Sequence, residues 1–120
     1  MNKQEVRLHP RLEVRLPVRY RVASGREWRY GRLANLGAGG GLLEISRELP
    51  TETVLGPFCF SLSGSKWGSD DEIETRAVVL RVEESADEFF RHGLAFLTLQ
   101  GEPYERVRRF VFENLEARGQ

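Results

Sequence analysis

Two arginines stand four residues apart near the start of the chain, Arg7 and Arg11, with His9 and Pro10 between them. Pro10 restricts His9 to extended conformations, so the pair sits on a loop and not on a helix. Two guanidiniums on a loop can wrap a ligand from two sides. Arginine suits such work: its planar fork grips a phosphate or a guanine edge through two hydrogen bonds, and its flat face stacks on a purine. A second stretch with chemical potential, NLGAGGG, runs from Asn35 to Gly41. A glycine-rich turn can point successive backbone N–H groups into one concavity, because glycine tolerates the positive φ this needs. Gly37, Gly39, Gly40 and Gly41 are the candidates for that cradle. Asn35 can brace the turn or bond a base edge through its amide. The same glycines also suit a tight crossover between two strands, with no ligand at all.

Catalysis finds little support. The two histidines, His9 and His92, are far apart and fall in no metal-ligand spacing. No Gly-x-Ser-x-Gly elbow and no Walker sequence occurs. Asp70 and Asp71 adjoin in a polar loop and read as a solvated acidic turn. His92 precedes a strand and reads as a surface or edge residue. Cys59 is the only cysteine, which excludes an internal disulfide and a cysteine-based metal cluster. It lies in an apolar stretch, as a buried structural cysteine does. The chain reads as a binding module and not as an enzyme, with no cofactor.

The formal net charge is zero, yet the charges are unevenly spread. Residues 1–32 carry nine basic side chains against three acidic ones, a local excess of six. The remainder carries the opposite excess. A basic first quarter points to an anionic partner or to acids elsewhere in the same chain. Arg15, Arg19 and Arg21 lie on a strand, and a solvated outer face accounts for them without a ligand.

These residues need elements to position them. The chain has 120 residues, 40% hydrophobic and 30% charged, which fits one globular domain. No run approaches the ~18 apolar residues of a membrane helix. The N-terminus lacks the apolar stretch of a signal peptide, so a cytoplasmic location without membrane insertion is expected. Leu12, Val14, Leu16, Val18, Tyr20 and Val22 alternate with mostly charged residues, the period of a half-buried strand. Pro17 hints at an edge or a bulge on its side of that strand. Trp28, Tyr30 and Leu33 suggest a second strand after the ASGR turn. Further strands are expected at Leu42–Ile45, Val54–Leu62, Ile73–Val82 and Gly93–Leu99. From Pro103, Tyr104, Val107, Phe110, Val111 and Leu115 recur at helical spacing. About six antiparallel strands and one C-terminal helix favour a small β-barrel or a sandwich capped by that helix.

Arg7-x-x-x-Arg11, a first strand with an LPV core, and Asn35-x-Gly37-x-x-Gly40 after the second strand resemble the PilZ domain family. That family pairs an RxxxR segment with a [D/N]xSxxG turn. The closing strand RHGLAFLTL and the amphipathic tail are similar to it as well, so the resemblance covers nearly the whole chain. It implies a mainly β fold, a small antiparallel six-stranded barrel with one C-terminal α-helix over about 103–118. It implies a flexible segment, 1–11, ahead of a barrel-and-helix unit, 12–120. The implied ligand is the bacterial second messenger cyclic di-GMP, with Arg7 and Arg11 on its phosphates and guanines. Asn35 and the backbone around Gly37, Gly39 and Gly40 would meet a guanine edge.

The family's serine position holds Gly37. A neutral hydrogen bond is worth ~0.5–1.5 kcal/mol, so losing that hydroxyl weakens a site roughly three- to tenfold. Val6 stands where many members carry a further arginine. With ligand, residues 1–10 are expected to order against the barrel and signal to a downstream protein in trans. A rival reading follows from Gly37 and Val6: a module that no longer binds nucleotide and acts as a protein-interaction adaptor, using apolar loop residues such as Trp67, Phe89 and Phe90. A barrel for single-stranded nucleic acid is disfavoured, because the charge balance is neutral and the basic stretch is short. No nucleic acid polymer is expected as a partner.

Overall fold

The computed structural model describes residues 10–64, 71–85 and 87–118. Val6, Arg7, His9, Trp67, Asp70 and Gly119, with the expectations attached to them, lie outside those residues. Six strands form: β1 Leu12–Val22, β2 Arg29–Gly37, β3 Gly40–Ile45, β4 Val54–Ser61, β5 Glu72–Glu84 and β6 Phe90–Phe96. One helix follows, α1 Gly101–Ala117. The strands close in the order β1-β2-β3-β6-β5-β4, each pair antiparallel. Because β1 pairs with both β2 and β4, the fold is a barrel and not a sandwich.

The alternation read in the first strand builds the interior. Leu12, Leu16, Val18 and Tyr20 are buried, and β2, β3, β4, β5 and β6 contribute Leu33, Leu36, Leu43, Leu55, Phe58, Phe60, Ile73 and Leu94. The rings of Tyr20, Phe58, Phe60 and Phe96 meet in series at centroid distances of 6.5, 6.0 and 5.7 Å, edge-tilted or stacked. The helix buries Val107 and Val111, four apart on one face, against the core. It starts at Gly101, and Pro103 occupies its first turn, where a missing N–H leaves no intrahelical bond unmade. Pro17 pairs with Arg32 of β2, while the ladder to β4 extends only from Val18 to Val22. The proline therefore stands just beyond the β4 pairing, where no donor is needed.

Three expectations need correction. Three of the four glycines of the Asn35–Gly41 stretch are strand residues: Gly37 closes β2, Gly40 and Gly41 open β3, and Ala38–Gly39 alone make the turn. The left-handed glycines among the described residues are Gly64 and Gly101. Close approach of backbone, and not positive φ, demands glycine here. A Cβ on Gly40 would stand 2.0 Å from the Leu94 carbonyl oxygen, and one on Gly41 2.7 Å from that of Asn35.

His92 is not at the surface. It is fully buried in β6, which begins at Phe90 and not at Gly93. Leu49 N–H donates to its Nε2 at 2.9 Å, and its Nδ1 faces the Leu43 carbonyl at 3.4 Å. The ring thus ties the segment between β3 and β4 to the barrel wall as a neutral imidazole.

Arg19 and Arg21 are not a simply solvated face. Both guanidiniums lie over the Trp28 ring, at 4.7 and 4.3 Å from its centroid, and Arg19 also pairs with Glu72 at 3.2 Å. Part of the basic first quarter is therefore answered by acids within the chain.

Candidate functional site

The two chemistry-bearing stretches meet because of the β1–β2 ladder. Leu12 pairs with Leu36 and Glu13 with Asn35, so the residues just before β1 run beside the end of β2. Leu33 and Leu36 are both fully buried although three apart. β2 carries an extra residue against β3, between Leu33 and Asn35, and β1 carries one against β2, between Glu13 and Leu16. Such a bulge re-aims side chains, and here it leaves Ala34 and Asn35 half-exposed beside the incoming segment.

Arg11 Nη1 donates to Asn35 Oδ1 at 3.1 Å. The Arg11 stem crosses Gly37: a Cβ there would lie 3.1 Å from Arg11 Cδ and only 2.6 Å from the Pro10 carbonyl oxygen. Of the expected ligand-binding residues, the fold brings Arg11, Asn35 and Gly37 into direct contact. Gly40 pairs with Gly37 across the hairpin, and the Gly39 carbonyl accepts from Phe96 N–H at 2.9 Å. Arg7 belongs to the undescribed segment.

Beside this junction a concavity of about 640 Å³ opens over β1, β2, β3 and the start of β6. That volume suits a small-molecule ligand. Glu13, the ladder partner of Asn35, and Ala34, its neighbour in sequence, form one wall. Arg15, Arg32, Arg91 and Arg118 supply four positive charges, against the carboxylates of Glu13, Glu44 and Asp87. Glu44 is buried and already committed. Its Oε1 accepts from Arg32 Nε and Nη2 at 3.1 and 2.6 Å, and its Oε2 from Arg91 Nε at 2.8 Å. Burial alone would raise the Glu44 carboxyl, but hydrogen bonds and charge from the two arginines outweigh it and hold it below the ordinary carboxylate range. This triad spans three adjacent strands, with Arg32 opposite Glu44 and Glu44 opposite Arg91. It leaves Arg32 Nη1 and the terminal nitrogens of Arg91 to bond something else.

Sequence reasoning missed this arginine-lined wall. Only the order β2-β3-β6 brings Arg32, Glu44 and Arg91 together, and no local pattern encodes that order. A second, smaller groove of about 240 Å³ lies between Tyr30 and Phe89 and shares Arg32 and Glu44 with the first. Tyr30 is 63% exposed and Phe89 37%. Phe90, by contrast, opens β6, pairs with Ile45 of β3 and Glu84 of β5, and is half-buried. No helix among the described residues is long and apolar enough to cross a membrane.

Comparison with known proteins extends these findings. The sequence matches the family model of the PilZ domain over residues 5–113. Among solved structures, the inhibitor of motility MotI/DgrA of Bacillus subtilis superposes with a TM-score of 0.83 at 17% identity, covering 100% of this chain and 56% of that one. The PilZ domain with c-di-GMP of YcgR from Escherichia coli gives a TM-score of 0.71 at 15% identity, covering 96% of each chain. The MrkH–c-di-GMP complex of K. pneumonia gives 0.76 at 19% identity, covering 96% of this chain and 55% of that one. The chain therefore spans about half the length of MotI and MrkH. At these identities the likeness is one of fold. A search of curated protein sequences gave no match.

Proposed function

The chain belongs to the PilZ domain family, and from that premise we propose that it is a receptor for cyclic di-GMP, held across the Arg11–Asn35 junction and the arginine-lined concavity beside it. The domain is a binding module and not an enzyme. The observation that carries the proposal is the 3.1 Å hydrogen bond from Arg11 to Asn35, which joins the two family motifs at one place. Two of the neighbouring folds were solved with c-di-GMP.

In this reading Arg7 and Arg11 clamp phosphates and stack on guanine. The Asn35 amide and the backbone at Gly37, Gly39 and Gly40 meet a guanine edge. Pro10 and Arg11 rest on β2 at Gly37, and the expected ligand-dependent ordering of the N-terminal segment otherwise falls on residues outside those described. That ordering is the proposed signal to a downstream protein in trans. Calorimetric titration of cyclic di-GMP into the chain and into Arg11→Ala tests the proposal. Saturable heat in the first and its loss in the second are expected. Absence of heat from the unmodified chain at high ligand would end this reading.

One observation favours a protein-docking role as a second reading. Tyr30 and Phe89, two exposed aromatics, flank the smaller groove. An adaptor that works without nucleotide would depend on Tyr30 and not on Arg11. Partner capture that survives Arg11→Ala and fails in Tyr30→Ala would support it.

A further inference from the structure

Gly37 stands where the family motif has serine, and the missing hydroxyl is expected to weaken ligand binding. The geometry gives this glycine a different role. It is buried, and its φ lies outside the left-handed region, so its own backbone would accept any residue. What requires glycine is the chain that lies on it. The Pro10 carbonyl oxygen and the Arg11 Cδ and Nε would stand 2.6, 3.1 and 3.3 Å from an added Cβ. The nearest of these is a backbone atom and cannot rotate away. Pro10, with φ fixed by its ring, directs the segment onto this spot. Two residues before the seat, Asn35 Oδ1 takes the far end of the same arginine at 3.1 Å. Directly after it, Leu12 enters the ladder opposite Leu36.

We propose that Gly37 is a positioning residue: the space left by its absent side chain seats Pro10 and the Arg11 stem on β2, so that the Arg11 guanidinium is aimed before any ligand arrives. The inference rests on the nucleotide reading only for its effect on affinity; the seat itself is a property of the free chain. A ligand that meets a pre-aimed arginine need not order it. Immobilising a long side chain costs enough that freeing Arg11 weakens binding by about three- to tenfold. Serine at this position would place both Cβ and Oγ in volume that Pro10 and Arg11 occupy. Restoring the family's residue therefore weakens binding here, whereas the missing-hydroxyl argument has it strengthen binding by a similar factor. The two accounts differ in sign.

The test uses the full chain with Gly37→Ala and Gly37→Ser. Without ligand, the Arg11 Nε–H and Asn35 side-chain amide resonances should move towards solvent-exposed values in both variants. Backbone amides of Phe58 and Leu94, and the melting temperature, should stay in place. A general loss of structure would not give that pattern. On titration with cyclic di-GMP, both variants should bind about three- to tenfold more weakly than the unmodified chain. Tighter or unchanged binding by Gly37→Ser, or unchanged Arg11 and Asn35 resonances in both variants, overturns the proposal. Should either variant lose the fold, Asn35→Ala removes the Asn35 hydrogen bond to the guanidinium without adding an atom to the seat. The Arg11 stem is then expected to stay on Gly37, with its Cδ protons still close to Gly37 Hα in through-space spectra. Loss of that contact also overturns the proposal. If the unmodified chain takes up no nucleotide, the nucleotide reading fails alone, and the ligand-free spectra still decide the seat.

Discussion

Arg11 donates to Asn35 across 3.1 Å, so the cation and the amide that the sequence places on separate stretches are bound to one another before any ligand is present. The bond engages one terminal nitrogen of a five-donor planar group. Lysine has one ammonium and no fork, and cannot both hold Asn35 and grip a phosphate in bidentate fashion. Arg11→Lys is therefore expected to weaken cyclic di-GMP binding by about ten- to hundredfold, the worth of a charge-assisted hydrogen bond. Calorimetry measures it directly. Equal affinity would show that Arg11 contributes charge alone.

Gly40 should behave unlike Gly37. Its missing Cβ makes room for the Leu94 carbonyl within the β3–β6 ladder, at 2.0 Å from where a Cβ would stand. Gly40→Ala must push two paired strands apart and is expected to cost about 1–3 kcal/mol of stability, as overpacking does. A clear drop in the melting temperature of Gly40→Ala, beside little change in Gly37→Ala, separates a glycine of the barrel from a glycine of the site. Equal melting temperatures for both would contradict that division.

His92 and Glu44 give the barrel two acid-sensitive contacts. Burial holds the His92 imidazole below its ordinary value of 6.5, so the folded chain binds its proton less readily than the unfolded chain. Stability from this group is complete above about 6.5 and is lost as pH falls from there towards the folded value. Glu44 is also lowered, so its contribution is present above the ordinary carboxylate value near 4.5 and is lost as pH falls below that. Denaturant melts against pH should show a first decline absent from His92→Gln and a later one absent from Glu44→Gln. A stability flat from neutral pH down to the carboxylate range would rule out the buried neutral histidine.

Cys59 is buried, and burial, followed by the charges of Glu72 and Glu74, pushes its thiol up to about 11. Thiolate is the reactive form, so native Cys59 should resist an alkylating reagent at neutral pH and react fully once the chain is unfolded. Rapid native labelling would mean that this wall of the barrel opens readily.

The sequence made the barrel legible wherever its alternation was clean. Leu12, Leu16, Val18 and Tyr20 point inward as the period of two demands, and Val107 and Val111 face the core as the helical spacing demands. His92 was legible by the same rule, since it lies two residues before the buried Leu94, but a polar ring does not advertise an interior position. The glycines misled, because a glycine required by close approach reads the same in sequence as one required by positive φ. Which backbone lies over Gly37 or Gly40 is settled only when β1 and β6 arrive from distant parts of the chain. The Arg32–Glu44–Arg91 triad was hidden for the same reason: its members come from three strands whose adjacency is a matter of barrel order.

Proton–nitrogen NMR spectra of the unmodified chain during titration with cyclic di-GMP test the central claim most directly. The nucleotide reading predicts saturable shifts at the Asn35 side-chain amide, the Arg11 Nε–H and the backbone amides of Gly37, Gly39 and Gly40, with smaller changes at Arg32 and Arg91. Shifts confined to the Tyr30–Phe89 groove, or none at saturating ligand, would contradict it.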